Sequence, residues 1–131
     1  MQMVERHTRL PHDPEYTALL GAAVYAFAYT EWMLMEILRS LEPDATHASL
    51  AELTSGQVAA QLRTAIEKLP QEEGREIGKR FAALVERRND MIHAHPATAA
   101  DGAQRLSRWA PHKSRFALLS DAIVREFIAD V

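Results

Sequence analysis

Glu86-Arg87-Arg88-Asn89-Asp90-Met91-Ile92-His93-Ala94-His95-Pro96, ERRNDMIHAHP, is the stretch on which the fold turns. Upstream of it, Ile77, Phe81, Leu84, Arg88 and Ile92 recur every three or four positions, with Val85 and Met91 alongside. That period predicts a helix over 71–94. Arg88 falls in the apolar line, whereas Arg87 lies about 100° around the axis. Pro96 disfavours helical backbone at residue 95, so the helix should stop near 92–94. The stretch is therefore either an ordinary polar helix end or a place where polar groups are gathered.

Working outward, the strongest pattern covers 15–41. Tyr16, Leu20, Val24, Phe27, Leu34, Leu38 and Leu41 form one stripe, and Leu19, Ala23, Met33 and Ile37 a second beside it. One partner helix would not cover that width. Burial on two sides is expected, in a bundle or at a dimer seam, and Trp32 and Met35 on a further side fit the same use. Glu31 lies in the main stripe, where a carboxylate needs a partner. Pro43 ends the helix. A helical turn at 46–53 follows, and Thr54-Ser55-Gly56-Gln57 reads as a capping box. The next helix runs to Leu69, with Val58, Leu62 and Ile66 inward, and Pro70 breaks it. Residues 96–111 are small and polar, with an Asp101-Gly102 turn signal. Gln104–Trp109 and Arg115–Leu119 could form two short strands. Ser120 caps a last helix that turns Ile123, Val124, Phe127 and Ile128 inward. The expected fold is all-α, an up-and-down four-helix bundle with room for a short β-hairpin before the last helix. Residues 1–14 are read as a mobile lead-in and 15–131 as the helical domain.

At 131 residues and 47% apolar composition, the chain fits one domain with a real core. It has no cysteine, which excludes disulfides and thiolate chemistry. No apolar run looks long enough to span a membrane, and no charged-then-apolar leader opens the chain. A cytoplasmic location, with no membrane partner, is the expectation. The net charge of −3 argues against general coating of nucleic acid. Its distribution is uneven: residues 75–115 hold nine Lys/Arg against four Asp/Glu, a net of +5. The opening stretch lies inside this basic segment, a pattern that suits either an anion-binding face or a solvated basic helix side.

Arg88 and His93 are five residues apart. On a continuous helix they would diverge by about 140°. They converge only if the helix ends between them, and Pro96 favours that ending by disfavouring helix at residue 95. An Arg and a His aimed at one point suit phosphodiester cleavage. Imidazole ordinarily titrates near neutral pH and passes protons. Guanidinium stays charged and forks onto phosphate oxygens. In RNA the 2′-hydroxyl can attack the adjacent phosphate, leaving the protein only proton transfer and charge stabilisation to supply.

Arg88-Asn89, the spacing to His93, the helix before and the break after resemble the motif of HEPN domains. A long first helix with an embedded Glu, as at Glu31, is similar too. The resemblance covers residues 15–131 in pattern, but only about six residues are specific to the motif. It implies an all-α bundle and a metal-independent endoribonuclease without a cofactor, working as a homodimer whose two motifs meet in one composite site. Arg88 would stabilise the phosphate charge, His93 would act as acid or base, and Asn89 would orient a catalytic group or the substrate. The products implied are a 2′,3′-cyclic phosphate and a 5′-hydroxyl. Such domains occur in toxin–antitoxin, phage-defence and RNA-processing systems, so an antitoxin or other protein partner belongs to the expectation. Some HEPN domains do not cleave. A non-catalytic module binding a protein partner or nucleotide is the alternative.

Around the motif, His95 is a candidate auxiliary residue. Arg108 is a candidate phosphate contact and Trp109 a candidate base-stacking residue, although hairpin packing explains such a Trp as well. Glu31 reads either as Arg88's ion-pair partner in the core or as the group holding it for catalysis. His93 could equally be a C-terminal His favoured by the helix dipole. His93 and His95 form a His-x-His pair that could bind zinc with Asp90 or Glu86, but no third ligand has clear spacing.

Overall fold

Asp13 opens the first helix: its carboxylate accepts hydrogen bonds from the Glu15 and Tyr16 amides at 3.0 and 3.3 Å. Pro14 follows at the first helical position, where its missing N–H costs nothing. The computed structural model describes residues 11–70 and 72–131. Of the lead-in expected over 1–14, residues 1–10 lie outside the described residues, and Asp13 and Pro14 belong to the start of the first helix. Helix α1 (Pro14–Leu41) gives way at Glu42 to Pro43. The short α2 (His47–Ala51) and then α3 (Ser55–Glu67) each start on a reciprocal capping box, Thr46 with Ser49 and Thr54 with Gln57. Helix α4 (Glu72–Ile92) ends two residues before the strand that holds Pro96, and α5 (Asp121–Asp130) starts on Ser120 as its cap.

The core forms where α1, α4 and α5 meet. Phe27 stacks on Phe81 and Phe127, with ring centroids 5.8 and 6.3 Å away. All three rings are buried, and each contributes roughly 1.5–3 kcal/mol of apolar transfer. Helix α3 adds Val58, Leu62 and Ile66. Its approach to α4 is close: a Cβ on Gly74 would stand 2.8 Å from Ile66 Cγ2.

The expectation of an all-α bundle is corrected here. Three strands, β1 (His95–Thr98), β2 (Gln104–Ala110) and β3 (Arg115–Leu119), form an antiparallel sheet in the order β1-β2-β3. The protein is mostly helical but mixed. The hairpin is β2–β3. The further strand, β1, lies in a segment read as a loop. Pro96 forces extended backbone after α4, and as an edge-strand residue opposite Leu106 it is tolerated. Gly102, at φ 88°, closes the β1–β2 turn in a left-handed conformation that suits glycine. The sheet is part of the core, since Leu119 is buried in it and Ala94 and Leu106 pack against it.

A second correction concerns the stripes. Tyr16, Ala23, Phe27, Leu34 and Leu38 are buried on α1, but Val24, Met33 and Ile37 are exposed, as are Ile77 and Ile92 on α4. The wide apolar face of α1 is covered on one side only. By length and composition alone α1 could cross a membrane, its most apolar window reaching a mean hydropathy of 1.3. This corrects the expectation that no apolar segment is long enough. Here α1 is the central helix against which α3, α4 and α5 pack.

The start of α1 is fastened from far along the chain. The Tyr16 hydroxyl donates to the Leu119 carbonyl at 2.6 Å and accepts from the Leu106 amide at 3.3 Å, extending the β2–β3 ladder. Arg105 lies over the Tyr16 ring at 4.6 Å and pairs with Asp13 at 2.9 Å and Asp121 at 2.6 Å. The hydrogen bond from Arg105 holds the Asp13 carboxyl below its usual range. Burial pushes the Tyr16 hydroxyl up.

Candidate functional site

Arg88 lies on the last turns of α4, half-buried, with its guanidinium 4.8 Å from the centroid of the Phe27 ring. Its Nε is buried without a hydrogen-bond partner. Among the described residues the guanidinium makes no ion pair. Glu31, one helical turn beyond Phe27 on α1, has its Oε2 buried and equally unpartnered. The core ion pair between Arg88 and Glu31 is therefore not formed. Arg88 lies against the Phe27 ring, and neither side chain makes an ion pair or hydrogen bond to the other. Arg87 goes elsewhere, as its place on the helix requires: it pairs with Asp130 at 2.7 Å and lies 5.3 Å from the Phe127 centroid.

His93 is the first residue past the helix. Its amide still donates to the Asn89 carbonyl at 3.0 Å, and the Ala94 amide to the Met91 carbonyl at 3.4 Å. The chain thus leaves helical geometry at His93, between a buried Met91 and the ladder that starts at His95. The His93 side chain is exposed, and Asn89, one turn back, is half-buried. Arg108 closes this end from the sheet: it donates to the His93 carbonyl at 3.4 Å and approaches Asp90 at 3.4 Å.

The candidate residues divide by strand alternation. Arg108 belongs to the inner side of β2, toward the end of α4. Trp109, the next residue, belongs to the outer side. His95 is opposite Ser107 and shares that outer side. Trp109 is not enclosed by the hairpin. It makes an edge-to-face contact with Phe116, opposite it on β3, at 5.1 Å. Arg108 therefore meets the end of α4 at Asp90 and the His93 carbonyl, Arg88 lies against Phe27, and His95 and Trp109 face the other way. Among the described residues no group of three or more His, Asp or Glu side chains converges as metal ligands would.

Phe27 and Phe116 were not picked out from sequence as site neighbours, and Asp90 only as a zinc ligand rather than as the partner of Arg108. Phe116 was findable, because a two-strand register across residues 111–114 places it opposite Trp109. Phe27 stands far from Arg88 along the chain, and only the tertiary packing of α1 on α4 joins them.

No family model, no curated protein and no solved structure matches this chain.

Proposed function

We propose that the protein is a metal-independent endoribonuclease of HEPN type, with Arg88 and His93 as its catalytic pair. The observation that carries this reading is the end of α4 at Ile92, between the two residues. On an unbroken helix they would diverge by about 140°. The chain leaves the helix at His93, which eases that objection, although the His93 amide still makes the helical bond to Asn89. The state of Arg88 adds support. Its guanidinium is held against Phe27 without a counter-ion among the described residues, as suits a cation that awaits an anion.

In the proposed reaction His93 takes the proton from a ribose 2′-hydroxyl. The 2′-oxygen bonds to the adjacent phosphorus, and the bond to the 5′-oxygen breaks as that oxygen is protonated. A 2′,3′-cyclic phosphate and a 5′-hydroxyl result. Arg88 donates to the non-bridging oxygens as charge builds on them. Asn89 and Arg108 steady the two ends of the site, and Glu31 biases the position of Arg88. A homodimer, with a second motif completing the site, and a cytoplasmic role in toxin–antitoxin or phage defence belong to the same proposal.

The test is incubation of purified protein with RNA in the presence of a chelator, beside His93→Ala. Wild type is expected to yield cyclic-phosphate ends, and the variant to lose at least about a hundredfold in rate while staying folded. Equal cutting by both would remove His93 from the chemistry. The second reading is a non-catalytic module that binds a protein partner. The exposed Tyr25, Tyr29 and Met33 on α1 favour it. It predicts a stable complex and no cleavage by the isolated protein.

A further inference from the structure

The outer side of the sheet is left open. Trp109 is 46% exposed and Phe116 61%, and Leu118 is exposed beside them. A monomeric protein has little reason to present two aromatic rings together on one strand pair. Their rings meet at 69° with centroids 5.1 Å apart. An edge-to-face contact leaves each ring an open face on which a planar group can lie.

The charge around these rings favours one kind of occupant. Between residues 102 and 120 there are four Arg/Lys and no Asp or Glu. Two of the four are engaged, Arg105 by Asp13 and Asp121 and Arg108 by Asp90. Lys113 and Arg115 are exposed and make no ion pair among the described residues. They lie at the same end of the hairpin as the rings, since the Ala110–Arg115 pair directly follows the Trp109–Phe116 pair, with Arg115 rooted on the other side of the sheet by alternation. The connection between them is a single 3-10 turn, Pro111–Lys113, closed by Ser114 in the left-handed region at φ 47°. A short turn sets the two exposed cations at the end of the hairpin, where a strand leaving the rings would pass over them.

Aromatic faces beside unpaired cations match a polymer of flat bases joined by phosphates. They do not match a duplex, whose bases are stacked on one another and hidden. An acidic protein surface would satisfy Lys113 and Arg115 but leave the ring faces without planar partners. We propose that Trp109, Phe116, Lys113 and Arg115 form a platform for a single-stranded segment of RNA, bases on the rings and phosphates on the cations. Strand β2 links the platform to the helix end, with Trp109 on the outer side and Arg108 touching His93 on the inner. An RNA lying across the rim of this strand is led from the stacking face toward Arg88 and His93. The proposal rests on the ribonuclease reading for the identity of the polymer and for where the strand leads, and it makes the substrate unpaired RNA.

The experiment uses the whole chain and a 2′-O-methyl oligoribonucleotide of about 12 nucleotides, which cannot be cut. Binding is read by fluorescence anisotropy, with a blunt duplex of the same composition as comparison. Wild type and His93→Ala should bind the single strand alike and at least about tenfold tighter than the duplex. Trp109→Leu with Phe116→Leu keeps apolar bulk but removes the stacking faces, and should weaken the single strand by at least about tenfold. In a Trp32→Phe background Trp109 is the remaining tryptophan. Its fluorescence should be quenched on oligonucleotide addition, a readout that does not depend on the double variant folding. Unchanged affinity in the folded double variant, equal affinity for the duplex, or an unquenched Trp109 overturns the platform. So does loss of a dimer in the double variant without any oligonucleotide binding, which makes this face a contact between copies. Binding without cleavage of unmodified RNA upholds the platform and sinks the ribonuclease. Cleavage that survives in a double variant with unchanged binding does the reverse.

Discussion

Arg88 places a permanent charge against a buried ring, 4.8 Å from the Phe27 centroid, and leaves its own Nε without a hydrogen bond. The cation–π contact returns about 0.5–1 kcal/mol, while an unsatisfied buried donor costs about 1–3 kcal/mol. The balance is against stability, and this is the pattern expected of a residue kept for function. Replacing Arg88 by Met keeps an unbranched apolar stem and removes the orphaned donor. Arg88→Met is expected to melt at or above the wild-type temperature and to lose at least about a hundredfold in RNA cleavage. A large fall in melting temperature would instead give Arg88 a structural role. Glu31 shares the condition, with Oε2 buried and without a hydrogen-bond partner.

At the level of elements, the cluster at the start of α1 draws together three parts of the fold. Arg105 of β2 bridges Asp13, the cap of α1, and Asp121, in the first turn of α5. The folded-state value of Asp13 is depressed, chiefly by the hydrogen bond from Arg105. Its contribution is therefore present above the ordinary carboxylate range and is lost as pH falls through the lower folded value. Thermal melts should show stability declining below about pH 4. Asp13→Asn preserves a good helix cap but not the charge, so its melting temperature should depend less on pH across that interval. An unchanged acid slope would exclude this pair as a source. The same elements show how far sequence reaches. The end of α4 was legible because Pro96 dictates it locally. Both strands of the hairpin were anticipated, at Gln104–Trp109 and Arg115–Leu119, from their place after the Asp101-Gly102 turn signal. Strand β1 was not, because His95-Pro96-Ala97-Thr98 has no alternation, and its pairing is imposed by β2. The contact of Arg88 with Phe27, and its failure to pair with Glu31, depend on how α1 docks on α4, which neither local pattern contains.

On the scale of the whole molecule, the exposed flank of α1 is the largest unresolved demand. Tyr25 is 77% exposed and Tyr29 62%, with Met33 and Ile37 continuing the line. If a second copy covers this flank, light scattering should return about twice the 14.7 kDa chain mass. Tyr25→Glu with Tyr29→Glu should return the single-chain mass with unchanged helical content. A wild-type protein that is monomeric at all concentrations tested would refute the pairing. The bond from the Tyr16 hydroxyl to Leu119 spans 103 residues, and this long tie bears on the protein's birth. A ribosome delivers α1 first, yet the groups that fasten its opening turn emerge only when the last helix is about to be made. At about 5–20 residues per second, the apolar helix waits roughly 5–20 s for them. During that interval it is a natural client for chaperones, and a nascent chain cannot assemble its helix-end site before the strands that follow α4 have been made.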